Sequence, residues 1–193
     1  MTDALNNRCS DAQIQEILAI SAQDTLAGIA AIDTALRDFP KDARLHFLKG
    51  SMLIGEKRFI AAHTALREAV RLDPELHIAR FQLGFFELTS GEADAALASW
   101  QPLKAALPAG HYLQLFVEGL EHLVADRFAP CIDSLRAGME VNAENAPLNG
   151  DMQLIIERCR ELLGEQGPTA SESGDGEAVS ATSFLLGTSR RLN

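Results

Sequence analysis

Residues 43–76 read ARLHFLKGSMLIGEKRFIAAHTALREAVRLDPEL, and residues 77–108 read HIARFQLGFFELTSGEADAALASWQPLKAALP. Laid one over the other, the two lines keep step at a period of 34 residues. Gly50 falls on Gly84, Ala62 on Ala96, Leu66 on Trp100 and Pro74 on Pro108, with Pro40 one period upstream. A repeat of that length is the size of one helix–turn–helix unit. The first copy predicts a helix over 43–54 and a second over about 59–72, with Gly55 in the turn. Gly50 and Ala62 have almost no side chain, so the two helices approach closely there, and Leu53, Phe59, Leu66 and Ala69 fill the space around the contact. The second copy predicts helices over 77–89 and from Glu92 onward, with Ser90-Gly91 as the turn. Pro102 lies well inside the latter helix, where it removes a backbone donor and clashes with the preceding turn. A kink or an early end near Trp100 is expected.

These residues carry a resemblance to the tetratricopeptide repeat family. Gly50, Ala62, Phe59 and the closing Ala69, Leu72, Asp73 and Pro74 match its motif in the first copy, and Leu83, Gly84, Gly91, Ala96 and Trp100 do so in the second. The resemblance implies an all-α, right-handed superhelix of about four helix pairs closed by a C-terminal capping helix. It also implies a protein-binding scaffold rather than an enzyme.

Working outward, a third unit follows with a one-residue slip. Its helices are predicted over about 112–125 and 128–140, with Gly119 and Cys131 at the small positions, Leu135 at the large one and Gly138 at the closing one. Pro130 falls in the first turn of the second helix, where its missing donor costs little. A single amphipathic helix over 147–163 presents Met152, Ile155, Ile156, Cys159, Leu162 and Leu163 on one face, with Gly164 to end it. It is placed to cover the last unit. Upstream, Ser10 and Gln13 form a capping-box pattern before a helix over 11–22. Asp24 caps a second helix bearing Leu26, Ile29, Ile32, Ala35 and Leu36 on one face, which Phe39-Pro40 closes. Glu16 stands where this pair should carry glycine, so the pair is degenerate and reads as an N-terminal cap.

The repeat domain is therefore expected over 10–163, after a flexible start at 1–9. Residues 164–183 are rich in Gly, Ser and acid without a basic residue, a composition that reads as a disordered linker. The chain finishes with Phe184, Leu185 and Leu186 followed by Arg190 and Arg191, an apolar tip that reads as a docking segment. About twenty flexible residues give that tip a reach of roughly 25 Å. That allows it to meet its own groove or that of another copy, so self-association through the tail is an expectation.

Composition narrows the function classes. The 193 residues carry 17 Lys and Arg against 27 Asp and Glu, a formal net charge of -10. Nucleic-acid binders show a basic face, and anionic lipid attracts basic segments, so neither partner is expected. No apolar run reaches the roughly 18 residues of a membrane span, and the first residues lack a charged-then-apolar leader. Cys9, Cys131 and Cys159 are far apart and form no C-x-x-C pair, which suggests neither a metal site nor a redox dithiol. A cytoplasmic protein in a reducing compartment is expected.

In the resembled family, positions 2, 5, 9 and 12 of each first helix line the concave face. Carried onto this chain, that peptide-binding groove comprises Arg44, Phe47, Ser51 and Ile54, then Ile78, Phe81, Phe85 and Leu88, then Leu113, Phe116 and Leu120. Members that clamp the carboxylate tail of heat-shock chaperones use Lys, Asn and Arg there. Phe47 and Phe81 replace them here, so that ligand is not expected. A phenylalanine-lined groove instead suits a partner segment with apolar anchors. In size, acidity and groove character the chain is similar to the tetratricopeptide chaperones of bacterial secretion systems. The alternative is a structural subunit that uses convex or end surfaces. No cofactor is implied. His46, His63, His77, His111 and His122 fall in no H-E-x-x-H pattern, and no G-x-S-x-G or P-loop occurs. Glu118, Glu121 and His122 share a helix face that reads as solvated.

Overall fold

In the computed structural model, residues 8–165 are described, and all of their regular structure is helical. The elements are α1 (Asp11–Gln23), α2 (Thr25–Asp38), α3 (Ala43–Gly55), α4 (Phe59–Leu72), α5 (His77–Thr89), α6 (Ala93–Ala106), α7 (Tyr112–Val124), α8 (Phe128–Val141) and α9 (Ala146–Glu165). They make four successive pairs and a final single helix. The chain divides into two compact units, one ending at Leu83 and the other beginning at Gly84, with the boundary inside α5. The expected linker at 164–183 falls outside the described residues from position 166, and the docking tip Phe184, Leu185, Leu186, Arg190 and Arg191 lies wholly outside them.

The repeat shows first in the turns. Arg58 N–H donates to Leu53 O, Glu92 N–H to Glu87 O and Arg127 N–H to His122 O, each at 2.9 Å. One residue earlier, Lys57, Gly91 and Asp126 adopt positive φ of 56°, 87° and 54°. This is a helix C-terminus closed by a residue in the left-handed region, which satisfies carbonyls the helix leaves without partners. The turning residue of the first repeat is thus Lys57 rather than Gly55, which completes α3.

The close helix contacts recur at the same spacing. A Cβ added to Gly50 would lie 2.7 Å from Cγ of Leu66, one on Gly84 would lie 2.6 Å from Cε2 of Trp100, and one on Gly119 would lie 2.7 Å from Cγ of Leu135. Leu66, Trp100 and Leu135 are each fully buried. The small residue on one helix therefore makes room for a large side chain on its partner, and the one-residue slip of the third unit is real. Phe59 is an exception to the expected packing: it is half exposed.

In the first unit, the Ser10–Gln13 capping box forms, and Asp24 accepts from the N–H groups of Leu26 and Ala27. Glu16 cannot serve as the small position, and α1 meets α2 closely elsewhere. A Cβ on Gly28 would sit 2.8 Å from the Cα of Ser21. Cys9, Ile17, Ile32 and Leu45 form one core cluster, and Ile29, Leu53 and Ala62 another. The expectation of a loose start stops short of Cys9, which is 2% exposed and donates its N–H to Asp42 at 2.9 Å.

In the second unit, α6 continues through Pro102 to Ala106, which rules out the early end near Trp100 that was the alternative to a kink. Trp100 and Leu103 flank the proline and are both fully buried, whereas Pro102 is exposed. Packing on the inner face thus holds the helical path across the missing donor. Likewise α9 continues past Gly164 to Glu165. It lies against α8 and buries Met152, Ile155, Ile156 and Cys159. Asn142 builds the corner between α8 and α9. Its Nδ2 donates to Asn145 O and Asn149 Oδ1, both at 2.7 Å, while its Oδ1 accepts from Asn145 N at 2.9 Å.

Candidate functional site

Of the residues placed in the groove by spacing, five have no surface to offer. Phe81, Phe116 and Leu120 are 0% exposed, Leu88 1% and Leu113 2%. They are core, which corrects the expectation for each of them. For Phe116 the cause is visible. Gly138 of α8 is small enough to admit its ring, since a Cβ there would lie 2.5 Å from Cδ1 of Phe116. Tyr112 packs edge-on against the same ring at 5.8 Å. A groove position on α7 has become a contact between α7 and α8.

Arg44 is also reassigned. Its Nε donates to Oδ1 of Asp42 at 3.0 Å, its Nη2 to Oδ2 of Asp42 at 2.8 Å and its Nη1 to Oδ1 of Asp11 at 2.8 Å. Nη2 also reaches the carbonyl oxygen of Cys9. Asp42 in turn caps α3 through Arg44 N–H at 3.1 Å. Burial of Asp42 opposes its ionisation. The hydrogen bonds and charge of Arg44, with the N–H of Cys9, outweigh that and hold the carboxyl below its ordinary value. The same contacts with Asp42 raise Arg44, against its own burial. These are the marks of a clamp that fastens the segment before α1 to the start of α3, with Nε, Nη1 and Nη2 each engaged. Sequence reasoning missed Asp42, although an aspartate directly before a predicted helix is a cap signal.

What remains in the first unit is Phe47, Ser51, Ile54 and Ile78, each partly exposed. Phe47, Ser51 and Ile54 recur at four- and three-residue spacing and so share one side of α3. The Oγ–H of Ser51 donates to Oε1 of Gln82 at 2.8 Å, with Phe47 O at 3.0 Å as its other acceptor position. Gln82 stands four residues beyond Ile78, on the same side of α5. The Ser51–Gln82 hydrogen bond therefore sets Phe47 of α3 and Ile78 of α5 along one face. Ile54 is packed partly against the Ile29, Leu53 and Ala62 cluster, which leaves it at the margin. Phe85, also half-buried, belongs to the second unit.

Two polar groups of the second unit serve helix ends and helix contacts. His111 caps α7 by accepting the N–H of Leu113 on Nδ1 at 3.2 Å. Glu121 holds Lys104 of α6 at 2.9 Å. Among the described residues, no group of three or more His, Cys, Asp or Glu is placed to hold a metal ion, and no helix is long and apolar enough to cross a membrane. A depression of about 380 Å³ on α4 is lined by His63, Thr64, Arg67, Glu68 and Arg71. Its Glu68 and Arg71 are already paired at 2.6 Å.

No family profile matches the chain, and no curated protein matches it in sequence. Solved structures do. Residues 41 to the end of MamA from Desulfovibrio magneticus RS-1 superpose with a TM-score of 0.53 at 15% identity, over 85% of this chain and 100% of that one. A double mutant of MamA RS-1 gives 0.53 at 14% identity, over 83% and 99%. At such identity the likeness speaks for the fold: an all-α helical repeat of tetratricopeptide type.

Proposed function

We propose that the chain is a protein–protein interaction module, an adaptor or chaperone of the cytoplasm. Its α3–α5 face, with Phe47, Ser51 and Ile78, receives an apolar segment of another protein. The observation that carries this is the Ser51–Gln82 hydrogen bond at 2.8 Å. It aligns two partly exposed apolar side chains on neighbouring helices and supplies polar groups between them. An aromatic and a branched side chain around a small polar centre suit a segment with Leu, Ile or Val anchors. The chain's charge of -10 disfavours nucleic acid as the occupant. The Phe184–Leu186 triplet at the chain's end has the chemistry such a face would accept, and a peptide of residues 183–193 is a ready probe of it.

Phe47→Glu tests the reading. The variant is expected to keep the helical circular-dichroism signal and to melt within a few degrees of the wild type, while losing proteins captured from native extract. Capture of the same proteins by a folded Phe47→Glu variant would refute the face.

A second reading has its own observation. Ile60 is 88% exposed beside the half-exposed Phe59, at the start of α4. An apolar pair there favours a structural subunit that joins a larger assembly through its outer surface. Ile60→Glu would then abolish capture and Phe47→Glu would not.

A further inference from the structure

Cys131 lies on α8 and Cys159 on α9, and their Sγ atoms are 3.7 Å apart. Both are free thiols, 0% and 1% exposed. They stand 28 positions apart in the sequence with no dithiol motif. The fold makes the pair by turning α9 back over α8 at the Asn142 corner. No feature of the α3–α5 face involves these thiols, which belong to the other unit.

We propose that Cys131 and Cys159 are a reversible disulfide site that fastens the last helix to the repeat before it, with a hydroperoxide as oxidant. The thiolate of Cys159 attacks one oxygen of hydrogen peroxide, and the O–O bond breaks. A sulfenic acid forms on Cys159, and the departing hydroxide takes up the thiol's proton as water. The sulfur of Cys131 then attacks the sulfur of Cys159, the S–O bond breaks, and the hydroxyl leaves with the proton of Cys131 as a second water. Two thiols and one peroxide become one disulfide and two waters. A dithiol reductant reverses this by exchange through a mixed disulfide.

The geometry orders these steps. The contact between the sulfurs pushes Cys131 up, with burial adding to it, and holds Cys159 down. Of the two thiols Cys159 is the more readily ionised, which fits an attacking thiol beside a resolving one. A disulfide needs the sulfurs to close to about 2.05 Å, a short movement from the observed contact. Because both sulfurs are buried, oxidant gains access when α9 lifts, so the rate of oxidation reports that opening. The oxidised chain holds α9 in place. Cys9 provides an internal control: it sits in the other unit, and burial followed by the charge of Asp42 pushes its thiol up.

The test treats the full chain with hydrogen peroxide, then unfolds it and alkylates the remaining thiols. Alkylated cysteines are expected to fall from three to the single Cys9. A proteolytic cross-link joining the peptides of Cys131 and Cys159 should appear. The melting temperature should rise by roughly 5–10 °C, and dithiothreitol should restore the starting state. Cys159→Ala and Cys131→Ala should show neither cross-link nor shift. Three thiols still alkylated, separate sulfinic acids without a cross-link, or a cross-link that leaves melting unchanged would each overturn the proposal. The wild-type chain alone decides among these results, so a variant that folds poorly does not obscure them.

Discussion

Gly84 has no room for a side chain, because the indole of Trp100 occupies the place where one would go. Gly84→Leu would have to displace a fully buried ring. Overpacking of this kind costs about 1–3 kcal/mol or more, and urea denaturation should find the variant destabilised by at least that much. An unchanged denaturation curve would mean that the repeat register is wrong. Arg44 makes a different prediction. Arg44→Ala leaves Asp42 buried with its charge uncompensated, which costs about 3 kcal/mol. The sign with pH follows from the lowered carboxyl of Asp42. In the wild type its contribution is present above the unfolded carboxylate's pKa of about 3.9. It is lost as pH falls through the lower folded value. In Arg44→Ala the holding interaction is gone and burial favours the neutral carboxyl, so the variant's deficit relative to the wild type should be largest near pH 7 and shrink as the pH falls toward 3. Urea denaturation from pH 7 down to pH 3 measures both effects.

Among the elements, α6 keeps its helical path through Pro102, although proline there takes away one helical hydrogen bond and crowds the turn before it. The residue is exposed, so Pro102→Ala disturbs no core contact. It should stabilise the protein by more than 1 kcal/mol and up to about 3 kcal/mol, visible as a higher melting temperature. A fall in melting temperature would show that the path of α6 depends on the proline. The same helix shows what spacing conveys and what it does not. Helix limits were legible because caps and turns are local: the Ser10–Gln13 box, the Asp24 cap and the Gly91 turn all stand where their residues suggest. The continuation through Pro102 was not, because the burial of Trp100 and Leu103 that sustains it depends on tertiary contacts. For the same reason spacing located Phe81, Leu88 and Phe116 on one side of their helices without revealing what covers that side. Arg44 was misread as a groove cation because its partners, Asp11 and Cys9, come from a segment 33 and 35 residues away.

For the molecule as a whole, the period of 34 residues was legible over 43–108, and with a one-residue slip in the third unit, since it is written in small and large residues that must meet. Gly50 with Leu66, Gly84 with Trp100 and Gly119 with Leu135 do meet. The proposed binding face was legible only in part. From a stripe of eleven residues, Phe47, Ser51 and Ile78 are left with Ile54 at the margin and Phe85 in the second unit, because the core claims most of the apolar members. The proposed recognition face therefore lies on the first unit, while the second holds the Cys131–Cys159 pair. Site-specific photo-crosslinking in native extract tests this division most directly. A photoreactive side chain is placed at Phe47 in one preparation and at Ile60 in another. Cross-linked partner proteins from the Phe47 position, with none from Ile60, are the predicted result. Cross-links from Ile60 alone would contradict the account and assign recognition to the outer surface of α4.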